Sequence, residues 1–193
     1  MKLDSLTHFF CNLPVIETER MILKPITLDD IDDIYEFTSD PLTSDWLTWY
    51  PHKTKTDAIN FVNYVQEKYK KNQPAQWAVK LKANNKIIGI CGFISFSEEH
   101  LNGEVAYVLS PLYWNKGYLT EALKEIIKFS FTQLNLVRIE AKCEIGNLAS
   151  EKVMQKAGLM QEGIFRKYFR RKGIFRDYKI YSIINEAEQN YSI

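Results

Sequence analysis

The chain has 193 residues, a hydrophobic share of 46%, a charged share of 25% and a formal net charge of +1. That length suits one domain with a sizeable core, and so balanced a charge gives no global field toward nucleic acid or an anionic membrane surface. Cys11, Cys91 and Cys143 are odd in number and widely spaced, and His8, His52 and His100 lack metal-ligand spacing, so neither a disulfide framework nor a metal site is expected.

The first residues carry Asp4 and lack the continuous apolar core of a signal peptide. Residues 15–26, VIETERMILKPI, read as a first strand, with Ile22 and Ile26 on one side and Met21 and Leu23 on the other. Thr27-Leu28-Asp29-Asp30 has the form of a capping box, Asp30 standing where Glu is usual. A helix through Ile31, Ile34, Tyr35 and Thr38 is predicted after it. The next stretch, DPLTSDWLTWYPHKT, is dense in turn formers and carries Trp46, Trp49 and Tyr50, with His52 close by. A second helix is predicted over Lys55 to Lys70, with Ala58, Phe61, Val62, Val65 and Tyr69 facing inward.

Asn72 to Pro74 break the chain. Gln76 to Leu81 and Lys86 to Phe96 then read as strands joined at Ala83-Asn84-Asn85. The longest apolar run, Ile87 to Phe96, is far short of the roughly 20 residues of a membrane helix, and no membrane partner is expected. Cys91 and Cys143 lie in apolar strand-like runs and read as buried thiols. A reducing, cytoplasmic compartment follows as the expectation.

From Gly103 to Leu134 the chain reads GEVAYVLSPLYWNKGYLTEALKEIIKFSFTQL. Val105, Tyr107 and Leu109 alternate with Glu104, Ala106 and Val108 as in a strand, and Pro111 ends the ladder by removing a donor. After the loop Tyr113-Trp114-Asn115-Lys116-Gly117 a helix is predicted. Leu119, Ala122, Leu123, Ile126, Ile127, Phe131 and Leu134 form its inner face, and Glu121, Lys124, Glu125 and Lys128 its outer one. A strand that ends in a Lys-Gly loop and re-enters as a helix gathers unpaired amides at the positive end of the helix dipole. That arrangement suits a phosphate or diphosphate. An ordinary strand–loop–helix connection with a solvated lysine would read the same way. Neither a Walker-type loop nor a GxGxxG run is present, so nucleoside triphosphates and NAD are not indicated.

Val137 to Cys143 is a further predicted strand. Asn147 to Lys156 is a short helix closed by Gly158. Two extended stretches, about 159–170 and 174–184, are hinged at Lys172-Gly173. The reading is one α+β domain with a mainly antiparallel sheet flanked by helices.

In this order the chain resembles the GNAT superfamily of acetyl-CoA-dependent N-acetyltransferases, and within it the RimJ/RimL-like branch of ribosomal-protein N-terminal acetyltransferases. Four pieces carry the resemblance along nearly the whole length: IETERMILKPITLDD, WNKGYLTEAL, NLASEKVMQKAGLMQEG and GIFRDYKIYSI. It implies a single GNAT-like domain over residues 1–193, a mixed sheet of about seven strands with about four helices. Against the superfamily pattern Gln/Arg-x-x-Gly-x-Gly/Ala, the loop here is Trp114-Asn115-Lys116-Gly117-Tyr118-Leu119. Only Gly117 is retained, and Leu119 stands where the pattern has a small residue.

The resemblance implies transfer of an acetyl group from acetyl-CoA to an amine, without a metal. The amine must attack unprotonated, the oxyanion needs a donor, and the departing sulfur needs a proton. An α-amine with a pKa near 7.8 loses only about 1 kcal/mol to deprotonation at pH 7, against roughly 4–5 kcal/mol for a lysine. Glu104 is the expected base, with a strand-end surface carboxylate as the alternative. The resemblance points to main-chain groups at Leu109 and Ser110 for the acetyl carbonyl, and to Ser150 for the leaving sulfur. Coenzyme binding is assigned to Trp114, Asn115, Lys116, Gly117, Tyr118, Leu119 and Thr120, with Asn147 on the pantetheine arm and Lys152 either on a phosphate or simply solvated. Helix capping is the competing role for Asn147 and Ser150. Trp49, His52 and Tyr107 are expected to wall the acceptor site, with a plug at the edge of the core as the equal alternative for Trp46 and Trp49.

The leading expectation is acetylation of a protein or peptide α-amine, with a small amine such as a polyamine or antibiotic as the alternative acceptor. A homodimer is left open. The segment FRKYFRRKGIFRDYK interleaves cations with aromatics, as RNA-contacting segments do. The favoured reading is nevertheless a hairpin whose aromatic face packs on the sheet, so nucleic acid is not an expected partner.

Overall fold

The computed structural model describes residues 8–186; the reading of the extreme N-terminus lies outside them. The predicted first strand is two strands, β1 (Ile16–Glu17) and β2 (Met21–Pro25). They are folded back at Thr18, whose amide donates to the Met21 carbonyl at 2.9 Å. Met21 and Leu23 are fully buried on one side of β2 and Ile26 on the other. The expected capping box closes between Thr27 and Asp30 and starts α1 (Ile31–Thr38). A second box between Thr54 and Asp57 starts α2 (Lys55–Lys70).

β3 (Gln76–Leu81), β4 (Ile87–Ser97) and β5 (Asn102–Leu109) form an antiparallel meander, followed by α3 (Tyr118–Thr132), β6 (Arg138–Glu144) and α4 (Leu148–Lys156). The chain ends in the hairpin β7 (Met160–Arg171) and β8 (Ile174–Ile184). The sheet has eight strands, one more than expected, in the order β1-β2-β3-β4-β5-β6-β8-β7.

The sheet separates two apolar layers. Trp77, Val79, Ile88 and Phe93 pack with Ala122, Leu123 and Ile126 of α3 and Met154 of α4. Ala78, Ile87 and Ile90 face the other way, against Ile34 and Phe37 of α1 and Ala58, Val62 and Val65 of α2. Period-two alternation on strands buried on both faces makes both layers possible. Cys91 and Cys143 are buried and burial pushes both thiols up to about 12, while Cys11 is exposed. Among the described residues no helix is long and apolar enough to cross a membrane, and no His/Cys/Asp/Glu group is arranged to hold a metal.

Every pairing in the sheet is antiparallel except β5 with β6. That parallel register covers only Asn102↔Arg138, Gly103↔Ile139 and Glu104↔Glu140. Beyond Glu104 the two strands separate, and the opening between them positions the site.

Candidate active site

The opening leads into a cavity of about 610 Å³, walled by residues 104–109 of β5, residues 113–115 and 117–120, residues 142–144 of β6 and the start of α4. Its remaining wall is the loop 42–49 together with Ile94, Phe169 and Tyr178. In an antiparallel ladder, alternate residues turn their N–H and C=O to opposite neighbours. The Ser110 amide donates to the Ile88 carbonyl at 2.8 Å, toward β4. Leu109 therefore faces the side that β6 has left, and its carbonyl there accepts from Trp114 Nε1 at 2.8 Å. The expected coenzyme contact is thus corrected at one of its two residues. Leu109 lines the cavity, whereas buried Ser110 does not, and its amide belongs to the sheet.

At one end of the cavity the chain turns into α3 through Asn115 (φ 60°) and Gly117 (φ 79°). Gly117 is the N-cap and no side chain caps the helix. Among the described residues, none of the amides from Asn115 to Thr120 donates to a side chain or to a loop carbonyl, whereas Glu121 N returns to Gly117 O at 3.0 Å. These unpaired donors stand at the positive end of a helix of 15 residues. Trp114, Asn115, Gly117, Tyr118, Leu119 and Thr120 line the cavity. Lys116 does not: its ammonium donates to the Leu112 carbonyl at 3.0 Å and sits 5.4 Å from the centre of the Tyr113 ring. The mobile charge expected there is already engaged.

Sequence reasoning missed what holds this loop. Glu121, expected on the outer face of α3, is largely buried and accepts from Thr18 Oγ1 at 2.6 Å, Arg20 N at 2.9 Å and Arg20 Nε at 2.6 Å. Arg20 Nη1 reaches on to the Lys116 carbonyl at 2.9 Å. The signal was present, since Thr18 and Arg20 belong to the TER run, but helical periodicity does not show which strand turn lies beside a helix.

In the middle of the cavity, Asn147 Oδ1 accepts from Ser150 N at 3.1 Å, so the capping role of this pair is realised. Both residues also line the cavity, with Lys152 exposed at its rim. The Tyr107 hydroxyl lies 2.9 Å from Ser150 Oγ and donates to the Ser150 carbonyl at 3.1 Å. Tyr107, expected on the acceptor wall, is thus a partner of Ser150. Glu104 Oε2 is held 2.7 Å from Lys142 Nζ, and Glu140 Oε1 lies 2.9 Å from the same nitrogen. Burial works against the Lys142 charge, but these carboxylates outweigh it and raise its pKa. Glu104 is therefore no unengaged base.

At the far end, Trp46 and Trp49 line the cavity, but His52 does not. It stands behind Trp49, with ring centres 5.7 Å apart, and its Nδ1 lies 2.8 Å from Thr38 Oγ1. Arg171 grips Glu144 with Nε at 2.5 Å and Nη2 at 3.0 Å, and its Nη1 donates to the Asp45 carbonyl at 2.6 Å. Lys172 donates to the Ser44 carbonyl at 2.9 Å. The hairpin tip thus braces the Trp46–Trp49 loop. Of the aromatics in the segment 165–179, Tyr178 is buried as expected, but the others are not. Phe165, Tyr168, Phe169 and Phe175 are all exposed, while Arg171, Arg176, Lys172 and Lys179 are engaged within the protein.

Comparison with known proteins gives this geometry a family. The acetyltransferase (GNAT) domain matches residues 20–160. The uncharacterized N-acetyltransferase YnaD of Bacillus subtilis is 34% identical over 173 residues, covering 89% of this chain and 97% of that one. A GNAT-family acetyltransferase from Bacillus anthracis superposes with a TM-score of 0.79 at 30% identity, covering 89% of this chain and 98% of the other. The ribosomal-protein-S5-alanine acetyltransferase from Vibrio fischeri superposes with a TM-score of 0.78 at 26% identity, covering 90% and 97%.

Proposed function

Because the chain belongs to the acetyltransferase (GNAT) family, and is on that ground an acyltransferase using acetyl-CoA, we propose that its acceptor is the α-amine of a protein or peptide. The single observation behind this choice is that neither carboxylate lining the cavity is available. Glu104 is held by Lys142 and Glu144 by Arg171. A polyamine or aminoglycoside needs unengaged carboxylates to receive its several charges. An α-amine needs neither those nor a strong base, since about one-seventh of it is neutral at pH 7. The likeness to a ribosomal-protein-S5-alanine acetyltransferase supports the same choice.

The residues present fit the carrier. The unpaired amides of Asn115 to Thr120 suit a diphosphate. Asn147 and the unpaired edge of β5 suit the pantetheine arm, and Lys152 suits a phosphate. When bound, acetyl-CoA supplies an acyl thioester. The Leu109 N–H, on the edge that β6 has left, offers a donor to the acyl oxygen. Ser150 Oγ holds a proton within the cleft for the departing sulfur, oriented by Tyr107 and by the Asn147 cap. Trp46 and Trp49 keep water from the amine side.

Incubation with labelled acetyl-CoA and a panel of N-terminal peptides, polyamines and aminoglycosides tests the proposal. Label is expected on peptide α-amines. Label confined to polyamines or aminoglycosides would overturn the acceptor, and no rise in melting temperature with millimolar coenzyme A would remove the carrier.

A further inference from the structure

We infer that Arg20 is a positioning residue for the coenzyme: tied to Glu121, it sets the Lys116–Gly117 peptide so that the amides after it face the diphosphate. The inference rests on the reading of that loop as the acetyl-CoA site. Arg20 lies in the turn between β1 and β2, far from the loop in sequence, yet it rests against three successive residues at the entry of α3. Nη1 donates to Lys116 O at 2.9 Å, Nη2 stands 3.5 Å from where a Cβ on Gly117 would be, and Cζ lies 4.5 Å from the Tyr118 ring centre. The guanidinium is a planar fork, so fixing Nε on Glu121 at 2.6 Å aims Nη1 and Nη2 as well.

A trans peptide carries its C=O and N–H on opposite sides. With the Lys116 carbonyl turned to Arg20, the Gly117 N–H points away from the guanidinium. Gly117 sits at φ 79° in an exposed loop, where glycine alone would sample both signs of φ. The tie removes that freedom before a ligand arrives, which is preorganisation. Glu121 supplies the other half. Burial raises its pKa, but the donors on Thr18 and Arg20 outweigh burial and hold the carboxyl below its ordinary range. Its charge offsets that of the guanidinium, which would otherwise oppose the positive end of α3.

The test is the affinity for coenzyme A by calorimetry, with the acceptor KM and the melting temperature, for the wild type, Arg20→Ala, Arg20→Lys and Glu121→Gln. A lysine retains the charge but cannot span Glu121 and Lys116 O together. Arg20→Ala and Arg20→Lys are expected to weaken coenzyme A about 10-fold or more, the scale of a charged hydrogen bond. The acceptor KM should stay unchanged. Glu121→Gln should weaken coenzyme A in the same direction, because it releases the fork. Full affinity in Glu121→Gln with loss in Arg20→Ala would mean direct contact with phosphate and would overturn positioning. Full affinity in Arg20→Lys, which carries the test where Arg20→Ala fails to fold, would overturn it too. A wild type that binds no coenzyme A would instead remove the parent reading.

Discussion

Tyr107 and Ser150 show how a single hydroxyl is given a direction. Burial raises the Tyr107 pKa, its hydrogen bond with Ser150 opposing that only in part, so it stays protonated at any working pH. It can then donate to Ser150 whichever way the serine proton points. Ser150→Ala is expected to lower kcat about 100-fold or more, the low end of the usual range for a positioned proton donor, while coenzyme A affinity stays within about twofold. Steady-state kinetics beside calorimetry would check this, and unchanged kcat would remove Ser150 from the reaction. His52 makes a different prediction. Burial lowers its pKa below 6.5, partly opposed by Asp57. The unfolded chain therefore takes up a proton before the folded one does, so stability should be lost as pH falls below 6.5. Urea titrations across that range should show a shallower pH slope in His52→Gln. The cap formed by Asn147 and Ser150 was legible in the sequence because the two residues lie together in one helical turn. Lys116 and His52 were not, because their fate depends on the Leu112 carbonyl and the Thr38 hydroxyl, which only folding brings within reach.

Elements report on how closely neighbours approach. Gly103 is the middle residue of the segment of β5 that pairs with β6, and a Cβ there would lie 2.5 Å from the ring of fully buried Phe93. Gly103→Ala is expected to cost about 1–3 kcal/mol, the range for overpacking a core. Denaturant midpoints would measure it, and a shift under about 0.5 kcal/mol, the noise of surface substitutions, would contradict it. Helix α2 was legible to both ends because Thr54 and Asp57 close a capping box and its inner face keeps a helical period. The break between β1 and β2 was not. The turn at Thr18-Glu19-Arg20 contains neither glycine nor proline, and Glu121 across the molecule supplies the partners that hold it.

For the whole molecule, α1 and α2 cover one face of the sheet and α3 and α4 the other, so both strand faces read as apolar. That pattern made the fold class readable. The exposure of the hairpin aromatics was not readable in the same way, since an apolar side chain on a strand suggests burial whether or not a neighbour exists. β6 ends at Glu144, opposite Tyr178, and leaves the hairpin tip from 166 to 176 extending beyond β6 as a two-stranded ribbon. The tip meets the loop at Ser44 and Asp45 instead.

Because β5 loses β6 after Glu104 but keeps β4 throughout, its far half is a one-sided strand inside a continuous sheet. Deuterium uptake in the empty protein should therefore alternate along it. The amides of Ala106 and Val108, turned toward β4, would label slowly, and those of Tyr107 and Leu109 quickly. Saturation with coenzyme A should erase the alternation by slowing the odd-numbered pair alone, and uniform slow labelling before any ligand is added would show that the two strands are zipped shut in solution.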